Sequence, residues 1–300
     1  MKHYIILFIK GMAMGVANVI PGVSGGTIAL ITEIYEDLIN SLKSFDLKAL
    51  RLITSFNFTG FIQHTNMYFL LAVFGGSVAS VFSIANLFKY LFSNYPLLIW
   101  AFFFGLILAS IYFVGKRIKK WNTTSICTLL TGTIIAISLS LITPSSENSN
   151  LFFVFICGII GISGMILPGL SGSFILILMG NYELLMVTAI TDLNILLLTT
   201  FFIGSVVGLM VFSHILAWVL KHYKDATLAL LTGFILGSLR TIWPWKEIIE
   251  SVIINGEEKV IEYNWYFPQT INKDTLLAFL SIIIGIMIVY WLEKYSKDKS

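Results

Sequence analysis

Long apolar stretches with very little charge dominate this 300-residue chain and restrict what it can fold into. A helix needs about 20 apolar residues to cross the roughly 30 Å of hydrocarbon in a bilayer. Only 12% of the residues are charged, whereas soluble domains carry about 25%. The composition rules out a soluble enzyme, a nucleic-acid-binding protein and a disordered scaffold as leading interpretations. It indicates a polytopic membrane protein whose predicted spans are residues 67–92, 97–115, 125–143, 193–220, 226–242 and 275–292.

Two further apolar regions are each interrupted by a Pro-Gly pair. Residues 4–32 are broken at Pro21-Gly22, and residues 151–180 are broken at Pro168-Gly169. The apolar stretch after each pair covers only about 15 Å of helix, which is half of a membrane. We therefore predict that each region forms a re-entrant helical hairpin with its tip near the midplane.

The two hairpins belong to two copies of one unit. IPGVSGG followed by IYEDL matches LPGLSGS followed by NYELL at a constant offset of 147 residues. Gly76-Ser77, Tyr95, Gly105 and Ser110 match the residues found 128 positions later, which extends the repeat into the spans. The predicted first repeat is residues 1–147, with a hairpin at 3–40 and an interfacial linker at 41–66. The second repeat is residues 148–300, with a hairpin at 151–186 and an extracytoplasmic loop at 243–273.

Each unit crosses the membrane an odd number of times, which turns the second unit upside down relative to the first. With the N-terminus inside, the predicted cytoplasmic segments hold 14 of the 19 Lys and Arg residues. This excess is the positive-inside pattern. We therefore predict an all-α polytopic protein of two inverted-topology repeats, each a re-entrant hairpin plus three transmembrane helices. Both termini are expected in the cytoplasm.

Both hairpin tips combine residue types that bind anions. Glycines leave backbone N–H groups uncovered, and Ser24 is a candidate N-cap for the half-helix that follows the first tip. A helix N-terminus with bare amides and hydroxyls favours phosphate, so two opposed tips would form an anion cradle at the midplane. Alternatively, Gly and Ser only allow close packing and a tight turn, and Asn18 caps the broken backbone. The candidate binding residues are Asn18, Ser24, Gly25, Gly26, Thr27, Ser171, Gly172 and Ser173.

Arg240 is a candidate cation for the same anion. It lies 14 residues after Ala226, about 21 Å along the predicted helix, and so within reach of the outer interface. A guanidinium group can hold phosphate with two hydrogen bonds. The alternative is an arginine that snorkels beside Trp243 and Trp245 and pairs with Glu247.

Glu36 and Glu183 occupy equivalent positions in the two hairpins. Each lies 14 residues after the Gly of its Pro-Gly pair, about 21 Å from the tip and near a membrane surface. They are either solvated hairpin bases or a symmetric pair of proton sites or gates.

The runs GMAMGVANVIPGVSGGTIALI, ILPGLSGSFILILMGNYELL and GFILGSLRTIWPW resemble a bacterial membrane family identified as polyprenyl-phosphate transporters. The resemblance covers nearly the whole chain. It implies translocation of undecaprenyl phosphate, the lipid carrier of cell-wall precursors, from the outer to the inner leaflet of the cytoplasmic membrane. The family has Gly before its Tyr-Glu motif in both halves, whereas this chain has Gly180 in the second half and Glu33 in the first.

Two other functions remain open at this level. A secondary transporter of a small soluble anion would need a closed polar cavity, whereas a lipid substrate needs a lateral opening between helices. An undecaprenyl-pyrophosphate phosphatase would carry Pro-Gly-x-Ser-Arg-Ser-Gly runs, but Gly25 and Gly172 stand where the Arg would be. The sequence therefore favours a transporter and predicts no catalytic residue, metal or cofactor.

Overall fold

A computed structural model describes residues 2–19, 24–142, 145–254, 257–268 and 270–297 as a mostly helical chain. The first half contains the helices α1 Lys2–Val19, α2 Gly25–Ile31, α3 Tyr35–Lys43, α4 Leu47–Thr54, α5 Phe58–His64, α6 Met67–Asn94, α7 Pro96–Gly115 and α8 Thr123–Leu139. The second half contains α9 Leu151–Ile166, α10 Gly172–Leu178, a π-helical turn at Leu184–Thr188, α11 Ala189–Thr191, α12 Ile195–His222, α13 Lys224–Ser238 and α14 Lys273–Lys297. Two strands, β1 Lys246–Ile254 and β2 Glu257–Trp265, separate α13 from α14.

The prediction of a helical membrane protein is confirmed. Three helical segments of the described chain are long and apolar enough to cross a membrane: Pro96–Gly115, Ile195–His222 and Lys273–Trp291. The predicted span at 226–242 is shorter in the structure, because α13 ends at Ser238. Arg240 and Thr241 follow it with hydrogen bonds to the carbonyls three residues earlier, which tighten the last turn. Arg240 therefore lies just beyond the helix rather than inside it.

The all-α prediction was wrong for the loop at 243–273. Strands β1 and β2 form an antiparallel hairpin in which Lys246 pairs with Trp265. Both strands are rich in Ile, Val and Tyr, which favour extended backbone. Glu residues are interspersed with these residues within both strands. They masked the signal, because they gave the segment the composition of a polar loop.

Long helices pack in two corresponding sets of pairs. In one set α1 packs on α6 and α9 packs on α12, and in the other α7 packs on α14 and α8 packs on α13. The glycines that match at an offset of 128 residues lie at these crossings. A Cβ atom on Gly76 would overlap the carbonyl oxygen of Phe8, and one on Gly204 would overlap that of Phe155. Small residues therefore allow the backbones to approach at equivalent places in both halves.

The short half-helices α2 and α10 also end alike. Ile34 N–H donates to Ala29 O and Asn181 N–H donates to Leu176 O, both at 3.0 Å, which is the long bond of a Schellman motif. The two differ in burial: every residue of α2 is buried, whereas α10 buries only Gly172 and Leu176. The half-helix α2 contacts α1, α3, α7, α9 and α14, and so lies at the centre of the molecule.

Candidate functional site

The two predicted tips lie against each other. Residues 20–23, including Pro21-Gly22, lie outside the described residues, but the chain from Ser24 onward is described. The hydroxyl of Ser24 donates to the carbonyl oxygen of Leu167 over 3.1 Å, and the amide of Gly169 donates to the hydroxyl oxygen of Thr27 over 3.1 Å. Ser24 is 2% exposed and Thr27 is fully buried. The residues that follow the first Pro-Gly pair and the residues around the second therefore share one buried contact.

The first tip uses its backbone amides within the protein. Gly25 N–H donates to the side-chain oxygen of Asn18 over 2.7 Å, and Gly26 N–H donates to the hydroxyl of Ser24 over 3.1 Å. Ser24 is thus the N-cap of α2, as predicted from its type and position. Asn18 caps the broken backbone, and a Cβ atom on Gly26 would collide with the carbonyl of Ile166. In this conformation the glycines serve packing and capping.

The second tip is more open. Ser173 is exposed, Ser171 is half-buried, and their hydroxyl oxygens are hydrogen bonded at 2.8 Å. Ser171 is the N-cap of α10, but its side chain makes no capping hydrogen bond. Gly169 has a φ of +80°, which favours glycine, and its Cα lies against the backbone of Phe234 in α13. The second tip therefore presents two hydroxyls and is fixed against the helix that leads to Arg240.

Arg240 lies over an aromatic ring and has no acidic partner among the described residues. Its guanidinium carbon is 4.0 Å from the ring centroid of Trp265, and the indole N–H of Trp265 donates to its carbonyl oxygen over 3.1 Å. Within the part of the chain that the structure describes, its buried Nε atom makes no hydrogen bond. The predicted alternative of an ion pair with Glu247 is not found there. Among the described residues, the guanidinium group is therefore positioned by Trp265 but paired with no carboxylate.

A pocket of about 290 Å³ opens beside Arg240. Its other walls are five aromatic side chains and one leucine, namely Phe104, Leu239, Trp243, Trp265, Tyr266 and Phe267. Trp243 packs edge-on against Phe104 and Phe267, with ring centroids 5.3 and 5.1 Å apart. A pocket whose described walls are apolar apart from one charged group suits an amphiphilic ligand better than a small hydrated anion.

Arg117, which sequence reasoning passed over, has a very different environment. Its two Nη atoms donate to the carbonyls of Leu30 and Ile31 over 2.7 and 3.0 Å, at the C-terminus of α2. The same group forms ion pairs of 3.1 Å with Glu33 and Glu293, and the side chain of Glu293 is 6% exposed. Cations stabilise a helix C-terminus because the last carbonyls carry partial negative charge. This arginine therefore holds the central half-helix in place.

Glu33 explains a departure noted in the sequence. It has a φ of 63°, and the matching Gly180 has a φ of 76°. Both residues follow a half-helix that ends in a Schellman motif, which requires the left-handed conformation at this position. Glycine adopts that conformation freely, whereas Glu33 adopts it while paired with Arg117. The mismatch between the two repeats was the signal that could have identified this site.

The remaining candidates do not join the tips. Glu36 lies at the surface and forms an ion pair with Lys224 at the start of α13, with both side chains 53% exposed. Glu183 is half-buried and lies just before the π-helical turn at Leu184–Thr188. Within the described residues, no group of three or more His, Cys, Asp or Glu is arranged to hold a metal ion.

Comparisons with known proteins agree on the relationship of this chain. A model described as undecaprenyl phosphate translocase-like matches residues 14–261. A Vibrio cholerae protein named polyprenyl-phosphate transporter is 39% identical over 302 residues, with 98% of each chain covered. A Staphylococcus aureus protein of the same name is 32% identical over 258 residues, with 80% of this chain and 86% of that protein covered. No solved structure matches the chain. The match over most of its length shows that this chain belongs to the undecaprenyl phosphate translocase-like family.

Proposed function

We propose that this protein translocates undecaprenyl phosphate from the outer to the inner leaflet of the bacterial cytoplasmic membrane, so that the carrier lipid is recycled in cell-wall synthesis. Both relatives are named polyprenyl-phosphate transporters. The observation that carries the proposal is the positioned guanidinium of Arg240 beside a pocket with aromatic walls. A lipid phosphate has the same two parts, an anionic head and an apolar chain.

The pocket favours a lipid over a small soluble anion. A soluble anion would need several polar groups to replace its water, but among the described residues that line this pocket Arg240 is the only charged one. Phe267, on the pocket wall, is 76% exposed. In the proposed arrangement the exposed side of Phe267 meets the outer edge of the hydrocarbon, and the pocket is then accessible from the lipid.

A short path leads from Arg240 to the tips. Gly169 lies against Phe234 and Ile235, five to six residues before Arg240, which corresponds to about 8 Å along α13. In the proposed cycle Arg240 captures the headgroup at the outer side and passes it to the hydroxyls of Ser171 and Ser173. Rearrangement of the two tips then uncovers the amides of Gly25 and Gly26 and carries the phosphate inward, while the chain stays in lipid.

The two-repeat architecture supplies the alternating access in this proposal. Residues 1–147 and 148–300 form inverted repeats, and α1–α2 and α9–α10 form the re-entrant hairpins, with both termini in the cytoplasm. Support comes from the corresponding helix pairs, the two Schellman motifs at an offset of 147 residues and the contact between the tips. The proposed activity is transport without chemistry, as the names of the relatives suggest.

The test is the rate at which undecaprenyl phosphate leaves the outer leaflet of proteoliposomes that contain the purified protein. Arg240→Gln should slow uptake from the face that carries Arg240 more than uptake from the opposite face. Arg51→Gln is the matched control, because Arg51 is an exposed residue of α4 that makes no side-chain ion pair in the described structure. Equal loss from both faces would contradict capture by Arg240.

Two further measurements address the tips and the alternatives. Combined Ser24→Ala and Ser171→Ala substitution should lower transport while the protein still inserts, and wild-type transport would contradict the cradle. The purified protein should release no inorganic phosphate from undecaprenyl pyrophosphate. Steady release would instead support the phosphatase.

A further inference from the structure

We propose that the aromatic pocket beside Arg240 binds the isoprene units next to the phosphate and selects an unsaturated, branched chain over a saturated one. The inference rests on the proposed function, because it assumes that Arg240 holds the phosphate. The inference concerns the part of the lipid next to the phosphate, because a phosphate site alone cannot distinguish one lipid phosphate from another.

The pocket separates a polar end from an apolar end. Both tryptophan indole N–H groups on its wall already have acceptors: Trp243 donates to Tyr266 O over 3.0 Å, and Trp265 donates to Arg240 O over 3.1 Å. These side chains therefore offer only ring surface to a ligand. Because Arg240 is the only charged group on the described part of the wall, we expect a bound amphiphile to place its headgroup at the guanidinium and its chain between the rings.

The position of the pocket suits the first units of a membrane-embedded chain. Phe104 lies eight residues into α7, about 12 Å along the helix from its start at Pro96. Phe267, on the pocket wall, is largely exposed. Because Phe267 shares the wall with Phe104 of α7, we expect a chain that leaves the pocket there to enter lipid. A volume of about 290 Å³ holds only part of a long polyprenyl chain, and this pocket therefore recognises the end that carries the phosphate.

Flat, aromatic walls favour isoprene units for a physical reason. Each unit contains a planar, methyl-branched double bond that packs flat against an aromatic face. It also loses less conformational freedom on binding than a saturated chain of the same length, which must immobilise more rotatable bonds. Apolar pockets distinguish ligands by small differences in shape, typically by about 10- to 200-fold.

The experiment compares equilibrium binding of three probes to the full-length protein in nanodiscs, with binding to empty nanodiscs subtracted. The probes are farnesyl phosphate, dodecyl phosphate, which has a saturated chain of the same main-chain length, and inorganic phosphate. The wild-type protein should bind farnesyl phosphate about tenfold more tightly than dodecyl phosphate. Phe267→Ala should reduce that ratio to about twofold by weakening farnesyl phosphate alone.

Phe152→Ala is the matched control, because Phe152 is 74% exposed, as Phe267 is at 76%, but does not line the pocket. It should leave the ratio unchanged. The inference is overturned if the wild-type protein binds farnesyl and dodecyl phosphate equally, or if Phe267→Ala weakens both by the same factor. Because Phe267 is largely exposed, replacing it should not disturb folding, so a selective loss of farnesyl phosphate binding reports on the pocket. A monodisperse elution profile of the variant checks that it is folded.

Arg240→Gln separates this inference from the function on which it rests. If Arg240 holds the phosphate, the substitution weakens farnesyl and dodecyl phosphate by one common factor and preserves their ratio. If all affinities stay unchanged, the proposed capture site is wrong. The ratio in the wild-type and Phe267→Ala proteins still decides whether the pocket selects the chain.

Discussion

Arg117 and Arg240 occupy similar places in the two halves but use their charge in opposite ways. Each lies two residues beyond the end of its helix, α7 at Gly115 and α13 at Ser238. Arg117 is bound by two carboxylates and two backbone carbonyls, whereas Arg240 faces an indole ring and has no acidic partner in the described structure. One cation is committed to the fold, whereas the other has no carboxylate partner among the described residues and is the one that we propose binds an external anion.

In the proposed function this difference sets the face at which the lipid is captured. A phosphate that reaches Arg240 meets a positive charge that no described carboxylate compensates, in surroundings of low polarity where electrostatic attraction is strong. A phosphate that reaches Arg117 meets a guanidinium that already has four partners. If the two sites face opposite leaflets, as the inverted repeats predict, capture is favoured at one surface and release at the other.

The largest expected effect is on stability. Arg117→Gln removes one partner of the buried carboxylate of Glu293 and the clamp on α2, and breaking such a pair costs about 3 kcal/mol. We expect the free energy of unfolding in detergent to fall by that amount. Adding Glu293→Gln should recover part of the loss, because the carboxylate that lost this cation is removed. If Arg117→Gln has the same free energy of unfolding as the wild type, Arg117 does not stabilise the fold, and the contrast drawn between Arg117 and Arg240 is wrong.

Arg240→Lys tests the other side of the comparison. Lysine keeps the positive charge but lacks the planar fork and stacks less well on Trp265. A hydrogen bond to a charged group contributes about 1.5–3 kcal/mol, so losing one should weaken lipid-phosphate binding about 10- to 100-fold. Stability should change little. Equilibrium binding and thermal unfolding of the same sample distinguish this result from misfolding, which would change both.

Glu33 and Gly180 provide a smaller contrast between the halves. Gly180→Ala should lower the free energy of unfolding by more than about 1 kcal/mol, because the left-handed backbone is strained by a Cβ atom and Ser145 O blocks the space. Glu33→Gly relieves the same strain but loses a partly exposed ion pair, so the two effects nearly cancel. Denaturant unfolding of both variants should therefore show a larger loss of unfolding free energy for Gly180→Ala than for Glu33→Gly. A larger loss in Glu33→Gly would mean that the ion pair dominates.

We expect Lys246, near the Arg240 pocket, to make the stability of the protein depend on pH. Burial lowers the pKa of Lys246 to about 7, and its ammonium lies over the ring of Trp100. Between about pH 7 and its ordinary value of 10.5 the unfolded chain binds more protons than the folded chain, so stability rises with pH across that window. Lys246→Met should flatten the dependence of the melting temperature on pH. An unchanged slope would show that another group is responsible.

Sequence patterns predicted the helices well where the information is local. The helices α6 and α12 both have 28 residues and begin 128 positions apart, as the repeat matches indicate. Apolar length and glycine spacing are properties of a continuous segment, so they can be read without knowledge of the fold. The inverted orientation of the repeats and the re-entrant path of the hairpins stay predictions.

The charged sites could be predicted only in part, because their partners are distant in sequence. Arg117 reaches Leu30 across 87 residues and Glu293 across 176 residues, and no spacing rule connects them. Arg240 was identified from its depth in a span, but its contact with Trp265 depends on a strand that the loop composition concealed. Packing, rather than motif, decides which arginine is neutralised.

The smallest expected effect concerns Glu36, and it decides between the two interpretations of the hairpin base. Its ion pair with Lys224 is about half exposed, and pairs of this kind contribute less than about 1 kcal/mol. Glu36→Gln should therefore hardly change stability, and any small loss should disappear at high salt, where exposed charges are screened. If Glu36 is only a solvated base, the dependence of transport on pH should also stay as it is. A shifted pH profile in Glu36→Gln, but not in Lys224→Gln, would instead assign it a proton-coupled role.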